Sequence, residues 1–281
     1  AQSASDSIDF LTNGYNAKDG GYSLNASYNY VSWTFRKQAK FFDIVTYTGN
    51  GVATGRAISH SLGSAPGCIM IKRTDTTGNW LVTHKDQDSS ERFLYLNTTG
   101  ANPQIANGAV TQNYNPSPTT TFKVYGADFL GGGSVTDVNA NGGTYVAYLF
   151  ASNAGGFGAS GTDNVISCGS CAGNATVNLG YEPQWILMKR TNATGSWIMV
   201  DNMRGMVVDG GAGGDAYLLA DTSGAEVTAA SMIDPSATGF TMQRSGADTY
   251  IYIAIRRPHK PPTTGTSVFS PHQTTSTTST S

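Results

Sequence analysis

The chain has 281 residues, a formal net charge of -2 and only 13% charged side chains. Because no basic field is available to neutralise a nucleic-acid backbone, we expect no nucleic-acid partner. The 34 glycines and the many Ser, Thr and Asn residues favour short strands and turns, and no apolar run is long enough to span a membrane. Composition therefore predicts an all-β fold without membrane insertion.

Along the chain, the first predicted strand covers residues 28–37 and alternates apolar with polar side chains. Two related strands occur at residues 143–152 and 248–257. A Phe-containing strand precedes each of the three, beginning near Ile8, Thr120 and Thr238. The remaining predicted strands lie at residues 41–51, 68–74, 79–85, 92–98, 162–174, 185–191, 196–202 and 215–222.

One motif occurs twice, at residues 62–85 and 179–202, 117 positions apart and without a gap. Ten of its 24 positions are identical. Each copy reads as two strands joined by a five-residue loop, and we expect the loop glycines, Gly78 and Gly195, to adopt positive φ. The repeat indicates two similarly built units.

The predicted architecture is a pair of tandem antiparallel β-sandwiches, with jelly-roll topology favoured because the closing strand is far in sequence from its opening partner. The first sandwich would cover residues 40–152 and the second residues 157–258. Residues 1–38 would be the closing strands of a partial or shared β unit. Residues 259–281 would form a Pro/Ser/Thr-rich linker or tail.

No catalytic signature recurs in both copies of the motif. The four histidines are His60, His84, His259 and His272. The second copy has Asp201 where the first has His84, so we interpret His84 as a surface imidazole. No carboxylate pair recurs either, and we predict no catalytic residues and no enzymatic activity.

Metal and cofactor sites are not predicted. Cys168 and Cys171 form a Cys-x-x-Cys, but only the distant Cys68 remains as a further thiol, so we expect incidental thiols or at most one local disulfide. The glycine-aspartate tract at residues 209–215 resembles a calcium loop in a single copy, which leaves calcium as an alternative.

The repeated Lys-Arg-Thr and tryptophan residues have two interpretations. They are residues 72–74 with Trp80, and residues 189–191 with Trp197. In the first interpretation the tryptophan is a core aromatic and a charged residue caps the strand end. In the second they form an aromatic and polar platform for a sugar.

Several phrases resemble a family of repeated domains in virion proteins of tailed bacteriophages, many from marine cyanobacterial hosts. They include "VSWTFRKQAKFFDIVTYTGNG", "ISHSLGSAPGCIMIKR", "YVAYLFASNAGGFG", "LGYEPQWILMKRT" and "YIYIAIRRPHKPP". The resemblance implies a sandwich similar to concanavalin A or laminin-G domains, and it supplies no catalytic residues.

From this resemblance we expect a non-enzymatic structural protein of the virion, located outside the cell. It would be a fibre, an appendage or a surface component such as capsid decoration. Its expected partners are other virion proteins, and a homo-oligomer is expected, with a trimer favoured. The alternative is an adhesin that attaches to carbohydrate on the host surface.

Overall fold

The computed structural model describes residues 8–12, 14–17, 30–52, 54–87, 93–101, 119–125, 136–208 and 213–256. They group into two compact units, one of residues 1–36 and one from residue 37 onward. In the first unit, β1 (Ile8–Leu11) and β2 (Gly14–Ala17) form an antiparallel hairpin. The Tyr15 hydroxyl donates a hydrogen bond to Ser32 at 2.6 Å.

The strand predicted at residues 28–37 is wrong for its described part, because residues 30–37 belong to no sheet. The predicted alternation is present, since Val31, Trp33 and Phe35 are half-buried between exposed neighbours. The alternation shows which side chains face inward. A β-strand also requires backbone hydrogen bonds to a neighbouring strand. Among the described residues, no strand pairs with this segment.

The first half of the larger unit, residues 37–152, contains two antiparallel sheets. A five-stranded sheet has the order β3-β9-β5-β6-β7, and β4 pairs with β8. The elements are β3 (Phe42–Thr48), β4 (Arg56–Ser59), β5 (Pro66–Arg73), β6 (Trp80–His84), β7 (Leu94–Tyr95), β8 (Thr121–Val124), the single helical turn α1 (Thr136–Asn139) and β9 (Thr144–Ala151).

The second half, residues 153–256, also contains two antiparallel sheets. A six-stranded sheet has the order β10-β18-β12-β13-β14-β15, and a three-stranded sheet has the order β11-β17-β16. The strands are β10 (Ile166–Ala172), β11 (Thr176–Asn178), β12 (Pro183–Arg190), β13 (Trp197–Asp201), β14 (Asp215–Leu219), β15 (Val227–Ala230), β16 (Ile233–Ser236), β17 (Gly239–Met242) and β18 (Thr249–Arg256).

The two large sheets correspond strand by strand. The order β3-β9-β5-β6-β7 matches β10-β18-β12-β13-β14, and the registers agree as well. Lys72 pairs with Trp80 in the first half and Lys189 with Trp197 in the second. A register irregularity follows Pro66 in β5, and its counterpart follows Pro183 in β12. The predicted all-β class is confirmed, and the sheets are antiparallel throughout the described residues.

Each half buries apolar side chains between its large sheet and its small one. In the second half these residues come from β12, β13 and β18 on one side and from β16 and β17 on the other, with Phe240 and Met242 fully buried. In the first half Tyr47 stacks on Tyr145 with ring centroids 5.0 Å apart, and the rings of Tyr47 and Phe122 meet edge to face with centroids 6.2 Å apart. The packing is therefore sandwich-like in both halves.

One turn prediction is wrong and one strand is shorter than predicted. Gly78 and Gly195 are not among the described glycines that adopt positive φ. The Gly195 N–H instead donates to the carbonyl of Thr99 in the first half at 2.9 Å, a long-range contact that the local pattern cannot reveal. Of the strand predicted at residues 92–98, only Leu94–Tyr95 pairs, and residue 92 lies outside the described part.

Candidate functional site

The second copy of the repeated motif lies at a junction between the two halves. Lys189 is the last residue but one of β12 and Trp197 begins β13. Both side chains are buried, at 0% and 2% exposure. Trp197 Nε1 donates to the carbonyl of Tyr95 at 2.9 Å, and Lys189 Nζ donates to the carbonyl of Thr99 at 3.1 Å and to that of Gly195. The motif therefore binds backbone carbonyls of the first half.

Burial changes the acid-base behaviour of Lys189. Loss of hydration lowers its pKa to about 8, although the nearby carboxylate of Asp221 acts in the opposite direction. The two carbonyl oxygens supply the acceptors that a buried ammonium needs. Lys189 is thus a structural cation held at the junction.

The first copy of the motif has the same register but a different environment. Lys72 and Trp80 are only half-buried. Lys72 Nζ donates to the carbonyl of Arg73 at 2.8 Å, and the Trp80 ring stacks on Tyr148 with centroids 5.8 Å apart. The face that carries Trp80 is open where its counterpart is covered.

The interpretation of a core aromatic with a charged cap is correct in part. Trp197 is buried, but at the junction rather than in the core of its own half. The arginines at the strand ends, rather than the lysines, pair with carboxylates: Arg73 lies 2.9 Å from Asp75 and Arg190 lies 2.8 Å from Asp248. Of the two tryptophans, only Trp80 presents surface that a sugar could reach.

His84 is not the surface imidazole that the sequence suggested. It is buried at 2% exposure, because the end of β6 faces β18 of the second half. The Asp86 N–H donates to Nδ1 at 3.2 Å, so Nε2 carries the proton and donates to the carbonyl of Tyr252 at 3.0 Å. Burial lowers the pKa of His84 to about 4, against raising effects of the Tyr252 carbonyl and Asp86.

Close backbone approach at the junction requires glycine at position 67. A Cβ atom there would lie 2.6 Å from Ser152 Cβ and 2.8 Å from Cys168 Cβ, both impossibly close. Ser152 Oγ donates to the carbonyl of Cys168 at 3.1 Å and accepts from its N–H at 3.1 Å. The aligned position in the second copy of the motif is Gln184, a difference that could have signalled this contact in the sequence.

The three cysteines are free thiols. Cys168 and Cys171 are three residues apart on β10, so their side chains leave opposite faces of the sheet and do not form a local disulfide. Burial raises the pKa of Cys171 to about 11 and raises those of Cys68 and Cys168 as well. Thiols with raised pKa values carry little thiolate, so these three side chains are weak nucleophiles.

A shallow cleft of about 310 Å³ contains the other described histidine, His60, beside Asp43 and Lys37. The Asp43 carboxylate accepts hydrogen bonds from the Ser61 N–H and from Lys37 Nζ, both at 2.6 Å. Burial alone would raise the pKa of Asp43, but these bonds and the Lys37 charge outweigh it, and the pKa is lowered. His60 Nδ1 accepts from the Leu62 N–H at 3.2 Å. The cleft thus holds an anchored carboxylate rather than a proton-transfer pair.

Two further buried carboxylates also bind backbone. Asp215 accepts three N–H groups, from Val207 at 3.1 Å, Met232 at 2.8 Å and Ile233 at 2.9 Å. Asp201 pairs with Arg204 at 2.8 Å. Asp215 ends the tract considered for calcium, and residues 209–212 of that tract lie outside the described residues, as do His259 and His272.

The described ranges contain no group of three or more His, Cys, Asp or Glu side chains arranged to hold a metal ion. Nor does this part of the chain contain a helix long and apolar enough to cross a membrane.

Residues 1–258 match the family described as Domain of unknown function (DUF7483), and the chain belongs to that family. The matched residues include the first unit and both halves of the larger unit. No curated protein and no solved structure matches the chain.

Proposed function

We propose that this member of the family is a non-enzymatic structural component of a bacteriophage virion, the role that the resemblance of its sequence phrases implies. It serves as a fibre, an appendage or a surface component and has no catalytic centre. The two halves are tandem copies of one jelly-roll-like β-sandwich, residues 40–152 and 157–258. Residues 1–38 belong to a further, partial unit, and residues 259–281 are a linker or tail.

The observation that carries this proposal is the use of the repeated motif. The most recognisable residues of the second copy, Lys189 and Trp197, bind carbonyl groups of the first half. A motif whose polar atoms are occupied in joining one unit to the next supports architecture rather than chemistry. Strings of compact β units extend a particle's surface with little unprotected backbone.

The titratable groups support the same proposal. Asp43, Asp201 and Asp215 are buried and their oxygens accept hydrogen bonds from the chain itself. His84 is buried with both ring nitrogens hydrogen-bonded. Catalysis needs such a group within reach of a substrate, and these groups face protein instead.

The test is to locate the protein in particles of the phage that encodes it. An antibody raised against the recombinant chain should label purified intact particles in electron micrographs, at a fixed place on each particle. Mass spectrometry of particles purified through a density gradient should recover the chain at a constant ratio to the major capsid protein. A chain found only in the lysate and removed by particle purification would refute the proposal.

A second candidate function is recognition of host carbohydrate, favoured by the Trp80 ring stacked on Tyr148 at the surface. Sugars bind to such aromatic platforms through their apolar faces. On a glycan array the wild-type chain should then bind a defined glycan class and Trp80→Ala should lose that binding. Arg56→Ala, a change at an edge strand of the small sheet, is the matched control. Equal binding by all three proteins would remove this candidate.

A further inference from the structure

Five positions on the outer face of the large sheet differ in burial between the two halves. In the second half they are all buried, and they are Cys168, Lys189, Trp197, Ile251 and Ile253. In the first half none is buried, and we call them the open patch: Ile44, Lys72, Trp80, Val146 and Tyr148.

Strand register makes these sets equivalent. Ile44 pairs with Tyr148 as Cys168 pairs with Ile253, and Lys72 pairs with Val146 as Lys189 pairs with Ile251. The members of each set share one face because paired residues in adjacent strands point to the same side of a sheet. Ile44 is 39% exposed, which is unusual for a large apolar side chain at a sheet position that is buried in the other half.

At the hairpin end of the covered face in the second half lies the end of β7 with the turn that follows it, residues 95–100. Its carbonyls at Tyr95 and Thr99 accept from Trp197 Nε1, Lys189 Nζ and the Gly195 N–H. This contact spans the lysine, the tryptophan and the loop glycine of the motif. The first half has the same three residue types in Lys72, Trp80 and Gly78.

The second half carries an equivalent turn, residues 219–224. The Trp80 N–H donates to Asn97 Oδ1 at 2.9 Å, and the Trp197 N–H donates to Asp221 Oδ1 at 2.9 Å. This match aligns Tyr95 with Leu219 and Thr99 with Ser223. Residues 222–224 are exposed. The described residues therefore present an open patch and an exposed turn, the two sides of a contact that the chain already forms internally.

We infer that the open patch binds residues 219–224 of a second copy of this chain. The inference rests on the proposed structural function and names the partner of the repeated motif. Trp80 Nε1 donates to the carbonyl of the partner's Leu219, and Lys72 Nζ turns from its own backbone to the carbonyl of the partner's Ser223. Trp80 and Val146, which flank Lys72 in the neighbouring strands, lose water on contact, which drives the association.

The second copy approaches at the hairpin end of the patch. Gln184 stands where the first half has Gly67, so the close backbone contact near Gly67 is not repeated between copies. Gly67 lies at the start of β5, whereas Lys72 lies near its end beside Trp80. The contact between copies is therefore smaller than the internal junction and depends more on the motif.

A contact between two different surfaces joins copies head to tail. Such an interface closes into a ring when the rotation between copies permits it and otherwise extends into a filament. A closed trimer and an open fibre are both compatible with one patch and one turn per chain.

The test measures self-association of the full chain by sedimentation velocity over a wide concentration range. Wild type should form multimers, and Lys72→Glu should weaken self-association at least about tenfold, because a carboxylate would then face carbonyl oxygens. Adding Ser223→Lys to Lys72→Glu should restore it, because the new ammonium meets the new carboxylate. Lys123→Glu, the same charge change on the exposed side of β8, should assemble as wild type does.

A wild-type chain that is monomeric at every concentration would overturn the inference, as would a Lys72→Glu chain that assembles normally. Loss of glycan binding in Trp80→Ala with unchanged self-association would assign the patch to a sugar instead. The proposed function is judged separately, by the presence of the chain in particles. A monomeric chain found in particles refutes only the docking, whereas a multimer absent from particles refutes only the virion function.

Discussion

Acid should destabilise the folded chain through His84, which is buried at the junction. In the neutral ring, Nδ1 accepts from the Asp86 N–H and Nε2 donates to the Tyr252 carbonyl. Protonation would place a second N–H at Nδ1, pointing at the Asp86 donor, and would bury a positive charge. The neighbouring charges, Asp86 and Lys85, have opposite effects on the ring. The folded state therefore favours neutral imidazole.

The magnitude follows from the shift in the pKa of His84. The value falls from an ordinary 6.5 to about 4, and each pH unit is equivalent to about 1.4 kcal/mol, which gives about 3 kcal/mol in total. Between pH 6.5 and pH 4 the unfolded chain binds a proton that the folded chain does not. The contribution is thus fully present above pH 6.5 and is lost as the pH falls toward 4.

The assay is urea unfolding of wild type and of His84→Gln at several pH values between 6.5 and 4. Glutamine can still donate to the Tyr252 carbonyl but does not titrate in this range. Other groups contribute equally to both proteins, so the difference between the two unfolding free energies isolates His84. The wild type should lose about 3 kcal/mol more than the variant across the window. Parallel pH profiles would refute the argument.

Three further predictions concern burial. Gly67→Ala should cost about 1–3 kcal/mol in urea unfolding because the new methyl group overlaps the facing half, whereas Gly100→Ala, whose nearest neighbour would be 3.8 Å away, should be nearly neutral. Asp215→Asn should cost about 2 kcal/mol, because one amide cannot accept from all three N–H donors; an unchanged unfolding midpoint would contradict this. The wild type should gain stability between pH 8 and pH 10.5, because the unfolded chain there retains a proton that folded Lys189 has lost. Lys189→Met should abolish this gain, and Lys72→Met controls for the lost charge. A gain that persists in Lys189→Met would contradict the assignment.

The central strands could be predicted from the sequence because burial imposes its pattern on them. β5, β12 and β18 consist largely of buried apolar residues, and each was predicted within one or two residues of its ends. β16 was missed because its sequence, Ile-Asp-Pro-Ser, contains a proline. It lies at the edge of the three-stranded sheet, where a missing N–H donor is tolerated.

The junction could not be predicted because its donors and acceptors are far apart in the chain. Trp197 and Tyr95 are 102 positions apart, and the acceptor is a backbone carbonyl that every residue type provides. His84 was misread for the same reason, since its burial comes from Tyr252 in the other half. Local patterns report which side of a strand faces inward, but they do not report what lies beyond the outer face.

The two copies of the motif differ in sequence at positions where the first copy contacts the second half. Gly67 and His84 contact the second half. Of the aligned residues in the second copy, Gln184 and Asp201, the latter pairs with Arg204 within its own half. Lys72 and Lys189, in contrast, are identical in sequence but differ in burial. The proposed docking accounts for this identity, because Lys72 would then donate to a turn carbonyl of a second copy as Lys189 donates to the carbonyl of Thr99.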